Sequence, residues 1–169
     1  MILILGGTKS GKSRFAVDLA KRQCRKVVYL ATAPVCDKEM EKRVARHRKS
    51  RPASWKTIEI QKDALPHLRS LGKGVDGVIF ECLGTYIANL LMSGQSEAAI
   101  LKNVKEASAC LKKMHKEIFI VSNEVGGSLI PQNKMGRRFT DIIGRANQML
   151  AQESDSVYLV TAGLPLRLK

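Results

Sequence analysis

The segment from Gly6 to Ser13 has the residues of a loop that binds phosphate. Its sequence, Gly6-Gly7-Thr8-Lys9-Ser10-Gly11-Lys12-Ser13, fits the pattern G-x-x-x-x-G-K-[ST]. An apolar run precedes it and a helical pattern follows it, which is the strand–loop–helix context that the motif needs. In such a loop, backbone N–H groups and a helix N-terminus face the phosphate oxygens. A glycine-rich turn is the simpler alternative, but the context favours binding of a nucleoside triphosphate.

Two side chains of the loop and one acid further along could act on the triphosphate and its metal. Lys12 would reach the β- and γ-phosphates, and the Ser13 hydroxyl would hold Mg²⁺. Glu81 ends the apolar run of residues 77–80, the position of a Walker B acid that holds Mg²⁺ directly or through water. A glutamate that merely faces solvent is the alternative, and aspartate is the more usual residue there. We predict Mg²⁺ as the cofactor, with Ser13 and Glu81 as its protein ligands.

His47 is a candidate nucleophile within the basic run of residues 43–51. A histidine on a basic helix is usually a solvated residue. Here the neighbouring cations disfavour the imidazolium form, which would keep the ring neutral and nucleophilic. The same cations would hold a triphosphate and stabilise charge that develops on it. The residues alone leave both interpretations of His47 open.

Short apolar runs alternate with helical patterns along the chain, which predicts an α/β fold. The runs are continuous and rich in Val and Ile, as in the buried strands of a parallel sheet. The predicted strands are Ile2–Leu5, Val27–Ala31, Trp55–Glu59, Gly77–Glu81, Ile118–Ser122 and Val157–Thr161. The predicted helices are Lys12–Gln23, Lys38–Lys49, Thr85–Met92, Glu97–His115 and Lys134–Gln152. We expect a mostly parallel sheet flanked by helices, in one P-loop domain spanning residues 1–169.

A ligand of such a sheet lies beyond the carboxyl ends of its strands. This rule selects the P-loop, Ala31-Thr32-Ala33, Glu81-Cys82-Leu83, Asn123-Glu124 and Ala162-Gly163. Glu59 also closes a strand candidate but says little by itself. Trp55, the single tryptophan, is expected to pack in the core rather than to stack on a base.

The composition of the chain limits the classes of function that it could have. The 169 residues carry a net charge of +14, of which residues 1–51 account for +10. A concentrated positive field attracts polyanions, such as nucleic acid or phosphorylated small molecules. Aromatic residues make up only 5% of the chain, and none lies within the basic run, so no stacking platform for single strands is indicated. The scattered cysteines, including Cys36, form no C-x-x-C pair and fit a reducing cytoplasm; neither a membrane span nor a signal peptide is expected.

Taken in order, these residues resemble one family over essentially the whole chain. The chain is similar to the bifunctional adenosylcobinamide kinase / adenosylcobinamide-phosphate guanylyltransferases of cobalamin synthesis. The matching segments are the P-loop, Ala31-Thr32, His47 with Arg51-Pro52, Trp55, Thr57, Glu59, Glu81-Cys82-Leu83, Asn89-Leu90-Leu91 and Ser122-Asn123-Glu124-Val125-Gly126. A P-loop alone is common, but its combination with the segments around His47 and Asn123 is far more specific. The chain departs from the family pattern at Lys9, Gly84, Ser128 and Thr140.

The resemblance implies two reactions and a set of binding residues. The hydroxyl of adenosylcobinamide would take the γ-phosphate of ATP or GTP, and GMP would then pass from GTP through a covalent GMP–histidine at His47 to give adenosylcobinamide-GDP and pyrophosphate. Nucleotide contacts would come from Gly6, Gly7, Thr8, Lys9, Ser10, Gly11, Lys12, Ser13, Ala31, Thr32, Ala33, Arg48, Lys49, Ser50, Arg51, Glu59 and Glu81. The family also implies a RecA-like fold and a homo-oligomer, with a trimer as the expected state.

Two other functions stay open on the sequence. A small-molecule P-loop kinase without nucleotidyl transfer would need the P-loop and Glu81 but not His47. A basic NTPase that binds nucleic acid would explain the charge of +14, but no recognition motif supports it.

Overall fold

The computed structural model describes residues 1–34, 37–72, 74–127 and 129–169, so Cys36 and Ser128 lie outside the described residues. Within that part of the chain, strands and helices alternate for most of its length. The strands are β1 (Ile2–Gly6), β2 (Val27–Ala31), β3 (Lys56–Glu59), β4 (Gly77–Glu81), β5 (Glu117–Asn123), β6 (Ser156–Thr161) and β7 (Leu164–Arg167). The helices are α1 (Lys12–Gln23), α2 (Lys38–Lys49), α3 (Leu65–Arg69), α4 (Leu83–Met92), α5 (Glu97–Lys112) and α6 (Lys134–Glu153).

The seven strands form one sheet in the order β3-β2-β4-β5-β1-β6-β7. Strands β1 to β6 pair in parallel, and β7 pairs antiparallel to β6 at the edge of the sheet. The expected class, an α/β fold with a mostly parallel sheet and flanking helices, is therefore confirmed. Since β1 to β4 run in one direction, Gly6, Ala31, Glu59 and Glu81 all lie at the same edge.

Both faces of the sheet are covered, because successive strand residues point to opposite sides. On one face, Ile4, Ile79 and Phe119 pack with Ala16 and Val17 of α1. On the other face, the strands pack against helices α4, α5 and α6. Trp55 is buried in the first of these clusters, as the sequence analysis expected. Burial on both sides explains why the strands are continuous apolar runs.

Most predicted boundaries agree with the structure within one residue, but four elements differ by more. Helix α3 and strand β7 were not predicted, since α3 is a single short turn and β7 contains a proline at a fully exposed edge. Helix α4 begins at Leu83, two residues before the prediction, with Cys82 as its N-cap. Helix α5 ends at Lys112 rather than at residue 115, because His115 adopts a left-handed backbone with φ of 50°. Among the described residues, no helix has the length and apolarity to cross a membrane.

Candidate functional site

The P-loop connects β1 to α1 at the carboxyl edge of the sheet, and its shape depends on two glycines. Gly11 has φ of 96°, a left-handed backbone that glycine adopts without strain. A Cβ at Gly6 would lie 2.5 Å from the Ser10 hydroxyl and 2.6 Å from the Val160 carbonyl oxygen. The Gly163 N–H donates to the Ser10 carbonyl at 2.8 Å and so ties the loop to the turn after β6. The chain therefore builds the curled loop that the motif predicts.

Lys12 is buried at the start of α1, with its ammonium group at the mouth of the loop. Lys12 Nζ donates to the Gly7 carbonyl oxygen at 3.0 Å. The loop and its lysine thus present a positive charge and backbone N–H groups to one space. A phosphate group is the ligand that such an arrangement suits.

Glu81 links the loop to the neighbouring strands. Its carboxylate lies at the end of β4 and is buried. Glu81 Oε1 accepts a hydrogen bond from the Ser13 hydroxyl, and Oε2 accepts one from the Tyr29 hydroxyl. The alternative in which Glu81 merely faces solvent does not hold, because both of its oxygens have partners inside the protein.

His47 lies in the last turn of α2, directly above this carboxylate. Helix α2 begins at Asp37, whose side chain accepts from the Met40 N–H at 2.8 Å. The acidic side chains in the first turn of α2 and the basic side chains in its last turn interact favourably with the helix dipole. His47 Nδ1 is 3.7 Å from Glu81 Oε1, and 38% of the His47 side chain is exposed. The imidazole is thus half-buried at the phosphate loop rather than solvated on an outer face.

Arg51 places a second cation at the site. Its guanidinium carbon lies 3.3 Å from the centroid of the Tyr29 ring, which is a cation–π contact. The Nη1 atom donates to the Thr57 hydroxyl at 3.4 Å. Within the described part of the chain, the buried Arg51 Nε has no hydrogen-bond partner. Arg51 is therefore held in place by Tyr29 and β3 while one of its donors stays unused.

Tyr29 is a part of the site that the sequence analysis missed. It lies on β2 and is 1% exposed. Burial, followed by the neighbouring Glu81 charge, raises the pKa of the Tyr29 phenol well above its ordinary value of 10.0. The phenol therefore remains a hydrogen-bond donor. The signal available in the sequence was a tyrosine within a continuous apolar strand, since a buried tyrosine hydroxyl needs a polar partner.

One cavity of about 300 Å³ brings eight of the eighteen predicted residues together. Of the predicted residues, those lining it are Lys12, Ser13, Ala31, Ala33, His47, Arg51, Glu59 and Glu81. Cys82 and Asn123, which the strand-end rule selected, also line it, and so do four residues that were not predicted, namely Tyr29, Met40, Val44 and Thr85. Burial raises the pKa of the Cys82 thiol, which keeps it protonated and poorly nucleophilic. His47 is the stronger nucleophile among these side chains.

The remaining predicted residues lie around this cavity rather than in it. A second cavity of about 420 Å³ shares Lys12, Ser13 and His47 with the first and is also lined by Lys9, Ser10, Gly11 and Ser50. Arg48 and Lys49 line an outer groove beside Trp55, where Arg48 pairs with Glu59 at 3.1 Å. Gly7 and Thr8 are exposed on the loop, and Gly6 is buried beneath it. Thr32 is fully buried and exchanges hydrogen bonds of 2.8 Å with the backbone of Cys82.

The Ser13 and Glu81 oxygens fit the expected Mg²⁺ ion. Magnesium prefers hard oxygen ligands and is usually held by one or two protein groups together with water and substrate phosphates. Here a hydroxyl and a carboxylate lie in direct contact beside the phosphate loop. Among the described residues there is no cluster of three or more His, Cys, Asp or Glu side chains that could hold a metal by itself. The donor set is thus one that phosphate oxygens would complete.

Comparisons with known proteins identify related sequences and a related fold. The family model described as "Cobinamide kinase / cobinamide phosphate guanyltransferase" matches residues 2–168. The chain is 34% identical to the bifunctional adenosylcobalamin biosynthesis protein CobU of Salmonella typhimurium, covering 100% of this chain and 99% of the relative. It is 38% identical to CobP of Pseudomonas aeruginosa, covering 99% and 96% of the two chains. Among solved structures, the KaiC-like protein PH0186 of Pyrococcus horikoshii shares the fold with a TM-score of 0.52, at 13% identity over 94% of this chain and 69% of that chain.

Proposed function

We propose that this chain, which belongs to the cobinamide kinase / cobinamide phosphate guanyltransferase family, carries out both reactions in the cavity at the P-loop. It would phosphorylate adenosylcobinamide with ATP or GTP and then convert the phosphate to adenosylcobinamide-GDP with a second GTP. The observation that carries the proposal is the contact of His47 with Glu81, 3.7 Å apart, while Glu81 also contacts Ser13 of the P-loop. A kinase needs the loop and the acid, whereas a histidine beside them adds a nucleophile within reach of a bound triphosphate.

In the kinase step, the hydroxyl oxygen of the aminopropanol arm would attack the γ-phosphorus, its proton would pass to solvent, and the bond to the leaving nucleoside diphosphate would break. The protein contributes mainly by position and charge, as in other phosphoryl transfers. Lys12 and the loop N–H groups would hold the β- and γ-phosphates. Ser13 and Glu81 would hold Mg²⁺, which neutralises charge on the phosphate oxygens when it is bound.

In the transferase step, a ring nitrogen of His47 attacks the α-phosphorus of GTP and the bond to pyrophosphate breaks. The phosphate oxygen of adenosylcobinamide-phosphate then attacks the same phosphorus, and His47 leaves as a neutral imidazole. Arg51 and Lys12 line the cavity around His47 and would stabilise the negative charge that develops in both steps. Histidine suits this role because it is a good nucleophile and a good leaving group near neutral pH.

The family resemblance also supports a homo-oligomer, with a trimer as the expected state, and a cytoplasmic location. This resemblance supports both the oligomeric state and the location. Size-exclusion chromatography with light scattering would measure the oligomeric state. Among the described residues, the exposed leucines of β7, Leu164 and Leu166, are available for a contact between subunits.

Product analysis tests the two activities separately. Adenosylcobinamide is incubated with Mg²⁺ and either ATP or GTP, and the products are separated by charge. The wild type should form adenosylcobinamide-phosphate with ATP, with GTP or with both. It should form adenosylcobinamide-GDP only when GTP is present. Lys12→Ala should lower the kinase rate by about 10² or more, since it removes the charge at the β- and γ-phosphates.

The matched control is Lys21→Ala, which removes the same charge from an exposed position at the end of α1. We expect this variant to make both products at the wild-type rate. A wild type that leaves adenosylcobinamide unmodified contradicts the proposal. Equal rates for Lys12→Ala and Lys21→Ala contradict the assignment of the P-loop.

A further inference from the structure

Tyr29 joins the two charged groups on either side of the cavity. Its hydroxyl donates to Glu81 Oε2, and its ring face carries the Arg51 guanidinium at 3.3 Å. The side chain is 1% exposed and lies on β2, between β3 and β4 in the sheet. Its ring therefore has little freedom to move, and both contacts are fixed by the central strands.

The two oxygens of Glu81 have different partners. Oε1 accepts from Ser13 and lies 3.7 Å from His47 Nδ1, so it faces the phosphate loop and the nucleophile. Oε2 accepts from Tyr29 and faces the sheet. The hydrogen bond at Oε2 thus fixes the rotation of the carboxylate and keeps Oε1 directed at Ser13. Without it, the carboxylate could turn about its terminal bond, which has a broad rotational preference.

We propose that Tyr29 is a positioning residue whose hydroxyl holds Glu81 in the orientation that binds Mg²⁺ with the nucleotide. The inference rests on the proposed function, since it concerns the same metal and the same phosphate loop. The ring has a separate task, because it supports Arg51 whether or not the hydroxyl is present. A phenylalanine at this position would preserve the packing and the cation–π contact but would leave Oε2 without its donor.

Removal of this single hydroxyl tests the inference. Tyr29→Phe and the wild type are compared for the affinity of GDP, measured by calorimetry with Mg²⁺ and again in EDTA. GDP serves as the probe because it lacks the γ-phosphate and the pyrophosphate leaving group. The variant should bind GDP in EDTA within about twofold of the wild type, since Arg51 and the loop are unchanged. The tightening of GDP binding by Mg²⁺ should fall by about tenfold, the effect of losing a hydrogen bond to a charged group.

Tyr158→Phe is the control, because it removes the same hydroxyl from a half-buried tyrosine of β6 that packs on Phe15. This control should show the wild-type response to Mg²⁺. Thermal unfolding of both variants checks that the fold is intact.

The outcomes separate this inference from the proposed function. If Mg²⁺ tightens GDP binding equally in Tyr29→Phe and in the wild type, the positioning role is wrong while the proposed function stands. If the two variants lose the Mg²⁺ effect to the same extent, the loss is not specific to Tyr29 and the inference is again wrong. If the wild type binds GDP no better with Mg²⁺ than in EDTA, the metal assignment and this inference both fail.

Discussion

At the residue scale, the carboxylate of Glu81 connects the phosphate loop, the candidate nucleophile and a buried phenol. Its oxygens contact Ser13 and Tyr29, and His47 lies 3.7 Å away. A single acid can thus influence metal binding and the position of the histidine. Glutamate reaches this point because its longer arm extends beyond the end of β4.

Glu81→Gln tests the metal role of this acid. The amide keeps the size of the side chain but loses the charge that attracts Mg²⁺. We expect the Mg²⁺ concentration for half-maximal kinase activity to rise by about tenfold or more, the scale of a lost charge-assisted interaction. A titration of kinase rate against Mg²⁺ measures this change.

Glu59→Gln provides a comparison for that titration. Glu59 also ends a strand and lines the same cavity, but it pairs with Arg48 rather than with Ser13. We expect this variant to keep the wild-type Mg²⁺ requirement. Identical titrations for Glu81→Gln and the wild type would refute the metal assignment.

The sequence predicted some of these residues better than others. The loop motif predicted that Lys12 and Ser13 lie at the phosphate site, and the rule for strand ends predicted the same for Glu81. The sequence alone could not show whether His47 is a nucleophile or a solvated surface residue. Its contact with Glu81 joins positions that are far apart in the chain. Tyr29 was missed since its apolar neighbours made it look like core, and only the fold shows where its hydroxyl points.

At the element scale, the site depends on how β2 and β4 are aligned. These neighbouring strands carry Tyr29 and Glu81. Asp76, directly before β4, accepts from the Arg25 N–H at 2.9 Å and from the Lys26 N–H at 2.7 Å, directly before β2. The carboxylate thus satisfies the backbone donors at the start of β2 and ties together the starting ends of both strands.

The loss of this tie should lower stability in a manner that depends on pH. Hydrogen bonds from backbone N–H groups, first that of Arg25, lower the pKa of Asp76 below its usual value of 3.8. A carboxyl with a lowered pKa in the folded state stabilises the protein above its ordinary pKa and loses that effect as the pH falls through the lowered value. Because Asp76 is exposed and solvent screens its charge, Asp76→Ala should cost only about 0.5 to 1 kcal/mol at pH 7.

Denaturant unfolding of the wild type and Asp76→Ala, measured from pH 7 to pH 3, checks this expectation. The difference in free energy of unfolding should be constant near neutrality and should shrink as the pH falls below about 4. A difference that stays the same across the whole range would show that the charge of Asp76 is not the cause.

The sequence pattern failed to predict elements that are short or that lie at an exposed edge of the sheet. Strand β7 has four residues, all exposed, and one is a proline. It forms because Ala162 and Gly163 adopt left-handed backbones, with φ of 51° and 83°, and reverse the chain after β6. Periodicity does not reveal such a turn, whereas the long buried strands were predicted within one or two residues.

At the scale of the whole molecule, the concentration of positive charge in the first third of the chain has a structural explanation. Residues 1–51 contain both the P-loop and α2, which lie on two sides of the same cavity. The part of this charge that the P-loop and α2 carry therefore lies where triphosphate and a phosphorylated second substrate would bind. The alternation of strands and helices predicted the α/β class, but the strand order required the structure, since it is set by packing between distant segments.

We propose that one cavity serves both γ-phosphoryl transfer and a covalent guanylyl–histidine. Labelling with GTP that carries the label on either the α- or the γ-phosphate, in Mg²⁺, distinguishes the two. The wild type should retain an acid-labile, base-stable label from α-labelled GTP and none from γ-labelled GTP, and His47→Ala should retain neither. A label from α-labelled GTP that persists in His47→Ala, or a wild type that takes up no label, would contradict the account.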